Sequence, residues 1–222
     1  MLARTYTAPA PLAIFDLDGT LVDQAAAAKT CAERFAAECQ LSASDADVIT
    51  DALTSRRPKG EVFAELVTRL ELSDDPSDLW ATYREQMPTL VHCDESTKDA
   101  LERMRTSGWT IGIATNGEAD NQVAKIRNTG LSQLVDGWVV SSEIGIRKPG
   151  LGIFQALAAQ VQHPLNGWMI GDSLEHDVRG GTNAGLKTAW ITNGTESRKS
   201  HDPTPTLIAP NVAVAVDRIL VQ

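Results

Sequence analysis

Apolar and polar positions change rhythm twice along this chain. Leu12-Ala13-Ile14-Phe15 is an unbroken apolar run, which predicts a short strand buried on both faces, and it ends at Asp16. From residue 24 to 88 the spacing is helical. Helices are expected over 25–39, 45–53, 60–70 and 76–86, with loops at 56–59 and 74–76, and no strand-like alternation interrupts them. From residue 96 onward, helices predicted at 96–107, 119–128, 152–161 and 178–184 alternate with apolar strands at 109–115, 137–140, 167–171 and 187–191. A short edge strand at 206–209 and a closing helix at 211–220 complete the pattern.

Strands that are almost continuously apolar and alternate with helices imply a parallel sheet covered on both faces. The expected architecture is α/β, a doubly wound parallel sheet with a small all-helical cap inserted after the first strand. Residues 1–23 and 89–222 would form the Rossmann-like core, and residues 24–88 the cap.

Composition narrows the functions without choosing one. The net charge of −9 argues against a nucleic-acid surface, which wants clustered Lys and Arg. No apolar stretch approaches the ~18 residues a membrane span needs. Residues 1–11 hold two prolines and no signal-peptide core, so they read as a loose tail on a cytoplasmic protein. Cys31, Cys39 and Cys93 lack metal-binding spacing, and Cys31 and Cys39 on one helix would stand ~12 Å apart, too far to bridge. Four of the tryptophans (Trp109, Trp138, Trp168 and Trp190) fall in or beside strands, where packing at the sheet ends is the expected role. Monomer and homodimer both stay open.

Candidate chemistry gathers where an open parallel sheet binds ligands, beyond the carboxyl ends of its strands. The first strand ends in Asp16-Leu17-Asp18-Gly19, with two carboxylates starting out on one side and a glycine for the turn. The second ends in Thr115-Asn116-Gly117, Lys148-Pro149 follows the third, and the fourth ends in Gly171-Asp172-Ser173 with Asp177 shortly after. Acids, a hydroxyl and a lysine in one place suit a phosphoryl group and Mg²⁺, with hard oxygen ligands for the metal and donors for the phosphoryl oxygens. Asp177 suits two roles, N-cap of the 178–184 helix or a residue behind the metal ligands, and Ser173 either supports the metal or sits in the loop.

At these residues the chain resembles the haloacid dehalogenase superfamily. Asp16-Leu17-Asp18-Gly19-Thr20-Leu21 is similar to its first motif, Thr115 to its second, Lys148 to its third, and Gly171-Asp172 with Asp177 to its fourth. The place of the helical insert resembles the branch of phosphoglycolate phosphatase-like and 5′-nucleotidase-like enzymes. That resemblance implies a Mg²⁺-dependent phosphatase for a small phosphomonoester of nucleotide or sugar phosphate type. Asp16 would be the nucleophile and Asp18 the acid and base. Asp16, the Asp18 main-chain carbonyl and Asp172 would hold the metal, and Thr115, Lys148 and the backbone near Asn116 the phosphate. Asp18 stands where dehalogenases of the superfamily lack an acid. Arg56, Arg57 and Lys59 in the insert are candidates for contact with the leaving group. A phosphomutase would share every catalytic residue. A non-catalytic, receiver-like phospho-accepting switch would share the acids, Thr and Lys but not the insert or Asp18.

Overall fold

The computed structural model describes residues 11–55, 57–194 and 198–222. Six strands, β1 (Leu12–Phe15), β2 (Thr110–Thr115), β3 (Gly137–Val140), β4 (Gly167–Gly171), β5 (Lys187–Ile191) and β6 (Leu207–Ala209), form one sheet in the order β3-β2-β1-β4-β5-β6. Every pairing is parallel. The chain leaves β1 toward β2 and β3 on one side and returns to β4 on the other. The strand order therefore reverses beside β1, and that is where such sheets open a crevice.

The two-residue period of β1 sorts its side chains between two cores. Leu12 and Ile14 face Ile153, Phe154 and Leu157 of α8 (Leu151–Gln160), whereas Ala13 and Phe15 join the opposite cluster. That second cluster takes in Leu101 and Met104 of α5 (Glu95–Thr106), Ile126 of α6 (Ala119–Asn128), and Ala215 and Ile219 of α10 (Val212–Leu220).

Between β1 and α5 run four helices: α1 (Gln24–Glu38), α2 (Ala43–Thr54), α3 (Lys59–Arg69) and α4 (Pro76–Leu90). Ser42 and Asp45 start α2 with a reciprocal capping box. The buried residues of the insert, among them Ala28, Ile49, Phe63 and Met87, are continuous with the sheet's second cluster. Helix α4 runs past its expected end at residue 86 and carries Pro88 in its last turns. A proline lacks the N–H that would bond the carbonyl four residues back. The carbonyl of Arg84 is served instead by Asn121 Nδ2 of α6 at 3.0 Å, and Asn128 Nδ2 of α6 bonds the Pro88 carbonyl at 3.0 Å. The missing bond thus fastens the insert to the helix that follows β2.

Other departures from the sequence pattern are local. A short α7 (Ser141–Ile144) follows β3 directly. The expected helix at 178–184 is instead a π-helical turn, Leu174–Arg179, running into α9 (Gly180–Asn183). Among the described residues no helix is long and apolar enough to cross a membrane.

Candidate active site

The site is built on the end of β1. Asp16 N–H still bonds Ile170 O of β4 at 2.9 Å, continuing the ladder, and then the chain turns. Gly19 holds φ at +77°, and a Cβ there would sit 3.0 Å from Asp172 Oδ2, so the glycine serves both the turn and the room for that carboxylate. Because the strand ends at Phe15, Asp16 and Asp18 do not stay paired on one side. Each carboxylate meets a different lysine.

Asp16 meets Lys148, whose Nζ donates to Asp16 Oδ1 at 2.6 Å and to Asp177 Oδ1 at 2.7 Å; all three groups are buried. The loop carrying Lys148 is held by Asn116. Lys148 N donates to Asn116 Oδ1 at 2.8 Å, and Asn116 Nδ2 donates to Lys148 O at 3.1 Å. The Asn116 side chain is thereby committed to the lysine loop. Burial works against the Lys148 charge, but the carboxylates of Asp16 and Asp177 outweigh it and hold the ammonium above its ordinary value. Burial pushes the Asp16 carboxyl up, Lys148 opposes the shift, and Asp177 and Asp172 add to it.

Asp177 is not the N-cap of a helix beginning at 178. It lies inside the π-helical turn, 1% exposed, with Oδ2 accepting the Ser173 N–H at 2.9 Å. The cap is Ser173, whose Oγ accepts from His176 N at 3.1 Å. The π-helical turn begins at Leu174, four residues before the expected start, and holds Asp177 where its Oδ1 accepts from Lys148 Nζ. A Cβ on Gly171 would fall 2.2 Å from Asp177 Oδ2, so only glycine fits beside it. Trp190, expected to pack at the sheet end, is buried and also donates Nε1–H to the Asp172 carbonyl at 2.9 Å.

Asp18 meets Lys125, which the motif spacing does not reveal. Lys125 Nζ lies 2.8 and 3.0 Å from the two Asp18 oxygens and 3.0 Å from Gln24 Oε1. Gln122 Nε2 donates to Asp18 Oδ2 at 3.0 Å and to Thr115 Oγ1 at 2.7 Å, leaving the threonine hydroxyl proton to be given elsewhere. The available signal was a polar stripe on the inward face of α6: Asn121, Gln122, Lys125 and Thr129 are all buried at helical spacing.

Above these groups opens a cleft of about 570 Å³, lined by the rim residues and by Lys59, Trp80 and Tyr83 of the insert. Lys59 is half-buried; its Nζ donates to the Ser55 carbonyl, and burial pushes it down to about 8, with Asp18 opposing and Lys125 and Arg57 adding. Arg57 lines the same cleft, but its guanidinium is engaged by Glu65 at 2.6 Å in an exposed pair. Arg56 lies outside the described residues.

Carboxylate oxygens of Asp16, Asp172 and Asp177 all lie within 4.8 Å of one another. Three carboxylates brought this close repel one another, and a divalent cation among them would offset that repulsion. The all-oxygen donor set suits a hard cation such as Mg²⁺. The carboxylate of Asp18 is held by Lys125 and Gln122 and is not one of these three.

The family model described as haloacid dehalogenase-like hydrolase matches residues 13–191. The chain is 37% identical over 107 residues to a pyrimidine 5′-nucleotidase of Escherichia coli, spanning 47% of this chain and 45% of that protein. It is 29% identical over 191 residues to a glyceraldehyde 3-phosphate phosphatase of Pyrococcus furiosus, covering 81% and 80%. To an N-acylneuraminate-9-phosphatase of Rattus norvegicus it is 30% identical over 229 residues, covering 89% of each. Several matches, like the first, span only about half of the relative's length. Among solved structures, the HAD-hydrolase YfnB of Bacillus subtilis, bound to magnesium, superimposes with a TM-score of 0.76 at 22% identity, covering 95% of this chain and 99% of that one. The L-2-haloacid dehalogenase of Xanthobacter autotrophicus gives 0.74 at 17% identity, covering 94% and 97%.

Proposed function

As the chain belongs to the haloacid dehalogenase-like hydrolase family, we propose that it is a Mg²⁺-dependent phosphatase. It would hydrolyse a small phosphomonoester, of nucleotide or sugar phosphate type, through an aspartyl-phosphate on Asp16. The observation that carries this reading is Lys148 Nζ seated 2.6 Å from Asp16 and 2.7 Å from Asp177, beside Asp172. A buried carboxylate held between an ammonium and a place for a divalent cation can approach a phosphate dianion without prohibitive repulsion. Relatives named for nucleotide and sugar phosphate substrates support the substrate class.

In the chemistry we propose, Asp16 attacks phosphorus in line with the leaving oxygen, forming the Asp16 O–P bond as the ester P–O bond breaks. Asp18 gives a proton to the departing oxygen and then takes one from the water that cleaves the acyl phosphate, so each residue ends as it began. Thr115, through its remaining hydroxyl proton, and Lys148 hold phosphoryl oxygens, while Asn116 keeps the Lys148 loop in place. Asp16, Asp172 and the Asp18 main-chain carbonyl would hold Mg²⁺, with Asp177 behind them on Lys148. When bound, the cation supplies positive charge that draws the phosphate oxygens toward Asp16. The insert residues Lys59, Trp80 and Tyr83 face the leaving group from the other side of the cleft.

The test is phosphate release from about a hundred phosphorylated metabolites, with Mg²⁺ and with chelator. Turnover of a subset, lost on chelation, is expected. A long-lived phosphorylated protein without turnover after acetyl phosphate treatment would instead identify a phospho-accepting switch.

A further inference from the structure

Lys125 is a buried cation that the steps above leave without a task. Its side chain is 2% exposed, and its donors go to both oxygens of Asp18 and to Gln24 Oε1. Gln24, the first residue of α1, passes the link on: its Nε2 donates to the hydroxyl of buried Tyr83 on α4 at 3.0 Å. Helix α4 is itself fixed to α6 by Asn121 on Arg84 O, Asn128 on Pro88 O and the Arg84–Asp120 pair at 3.1 Å. A continuous run of side chains, Tyr83–Gln24–Lys125–Asp18, therefore leads from the insert to the acid.

We infer that Lys125 is a positioning residue for Asp18, held in turn by Gln24 and Tyr83, and that this run aims the carboxylate at the leaving oxygen. The inference rests on the phosphatase reading above. A carboxylate at the end of a short side chain turns freely unless both oxygens are engaged, and proton transfer needs one oxygen within hydrogen-bond reach of its target. Lys125 contacts both oxygens, and Gln122 adds a bond to Oδ2 at 3.0 Å. The ammonium spends its donors inside the protein, so its task is orientation and not substrate contact.

The inference predicts a dependence on the leaving group. An alkoxide must be protonated as it departs; a nitrophenolate need not be. The experiment measures kcat/KM, which covers the steps up to the aspartyl-phosphate, for benzyl phosphate and 4-nitrophenyl phosphate. Lys125→Met keeps the aliphatic stem and removes the ammonium. It should lower kcat/KM for benzyl phosphate by about 100-fold and for the nitrophenyl ester by less than about 5-fold, within the range of general acid catalysis. Tyr83→Phe, which removes one hydroxyl, should shift the same ratio in the same direction by about 3-fold; it carries the test if Lys125→Met does not fold. Equal slowing of both esters, or no change in their ratio in either variant, overturns the positioning role. If the unaltered protein hydrolyses neither ester with Mg²⁺ nor any metabolite, the phosphatase reading falls and takes this inference with it. If it hydrolyses both and the variants treat them alike, only this inference falls.

Discussion

The rim of the sheet and the helical insert treat their lysines in opposite ways. At the rim, Lys148 is enclosed between Asp16 and Asp177, and its charge is held firmly by them. In the insert, Lys59 leans over the same cleft with a main-chain carbonyl as its acceptor. Among the described residues no carboxylate comes within ion-pairing distance of it, and burial brings it down to about 8. A cation neutralised inside the protein is part of the scaffold of the site. A cation left over a cleft without an ion-pair partner among the described residues has attraction to give to a ligand. On the function proposed above, the two regions would divide the work: the rim would fix the phosphoryl chemistry, and the insert would meet what the phosphate is attached to.

The contrast can be tested from its strongest side first. Asp16→Asn should abolish turnover, by about 10⁴-fold or more, because the amide cannot form the acyl phosphate. A circular dichroism spectrum should remain that of the unaltered protein. Substantial residual phosphate release would remove Asp16 from the role of nucleophile.

Lys148→Met should strike both activity and stability, since Asp16 and Asp177 would be left buried without their partner. Breaking a buried pair in this way costs about 3–5 kcal/mol, or about 10 °C in Tm for a chain of this size. The sign with pH follows from the acids. Without the ammonium, the Asp16 carboxyl, already pushed up by burial, loses the neighbour that opposes the shift and rises further above its unfolded value, so the fold binds more protons than the unfolded chain and loses stability as pH climbs. The deficit in Tm should therefore be larger at pH 8 than at pH 5. A deficit independent of pH would place the effect of Lys148 in packing instead.

Mg²⁺ should raise the melting temperature of the unaltered protein, by the equivalent of about 2.7 kcal/mol at a hundred times its Kd. Asp172→Ala should remove most of that rise. A melting temperature indifferent to Mg²⁺ and to chelator would detach the acidic cluster from any metal.

The smallest effect belongs to the insert. Lys59 is a base with a value near 8, so its charge is present below that pH and lost above it. Affinity for an anionic ester should weaken a few-fold, about 1 kcal/mol or less, as pH rises from 7 to 9. Lys59→Gln should flatten that dependence in a plot of KM against pH while leaving kcat nearly unchanged. An unchanged slope would assign the pH dependence to another group.

Much of this was legible in the chain. The apolar run ending at Asp16, and the strands ending in Thr115 and Gly171-Asp172, place the site because a buried parallel strand must be apolar throughout and must end where polar residues begin. Lys148 was legible through its place before Pro149 after the third strand. Lys125 was not, because a lysine within a helix ordinarily points to solvent, and only the packing of α6 on α4 turns it inward. Asp177 was half-legible: it stood near a helix start, but the π-helical turn moved the cap to Ser173 and freed Asp177 for Lys148. Arg57, equal to Lys59 as a basic residue near the cleft, is taken by Glu65, an outcome set by where the first turns of α3 face.

By itself, then, the sequence determined the parallel sheet, the helical insert and the strand ends that carry the acids. Those follow from local periodicity and from the rule that buried strands are apolar. Only the tertiary structure decided which lysine serves which aspartate, that the two neighbouring acids diverge, and that a tyrosine of the insert connects to the second of them. Such pairings join residues about sixty to more than a hundred and thirty positions apart, and no local pattern records them, because each depends on how helices pack once their apolar faces are buried.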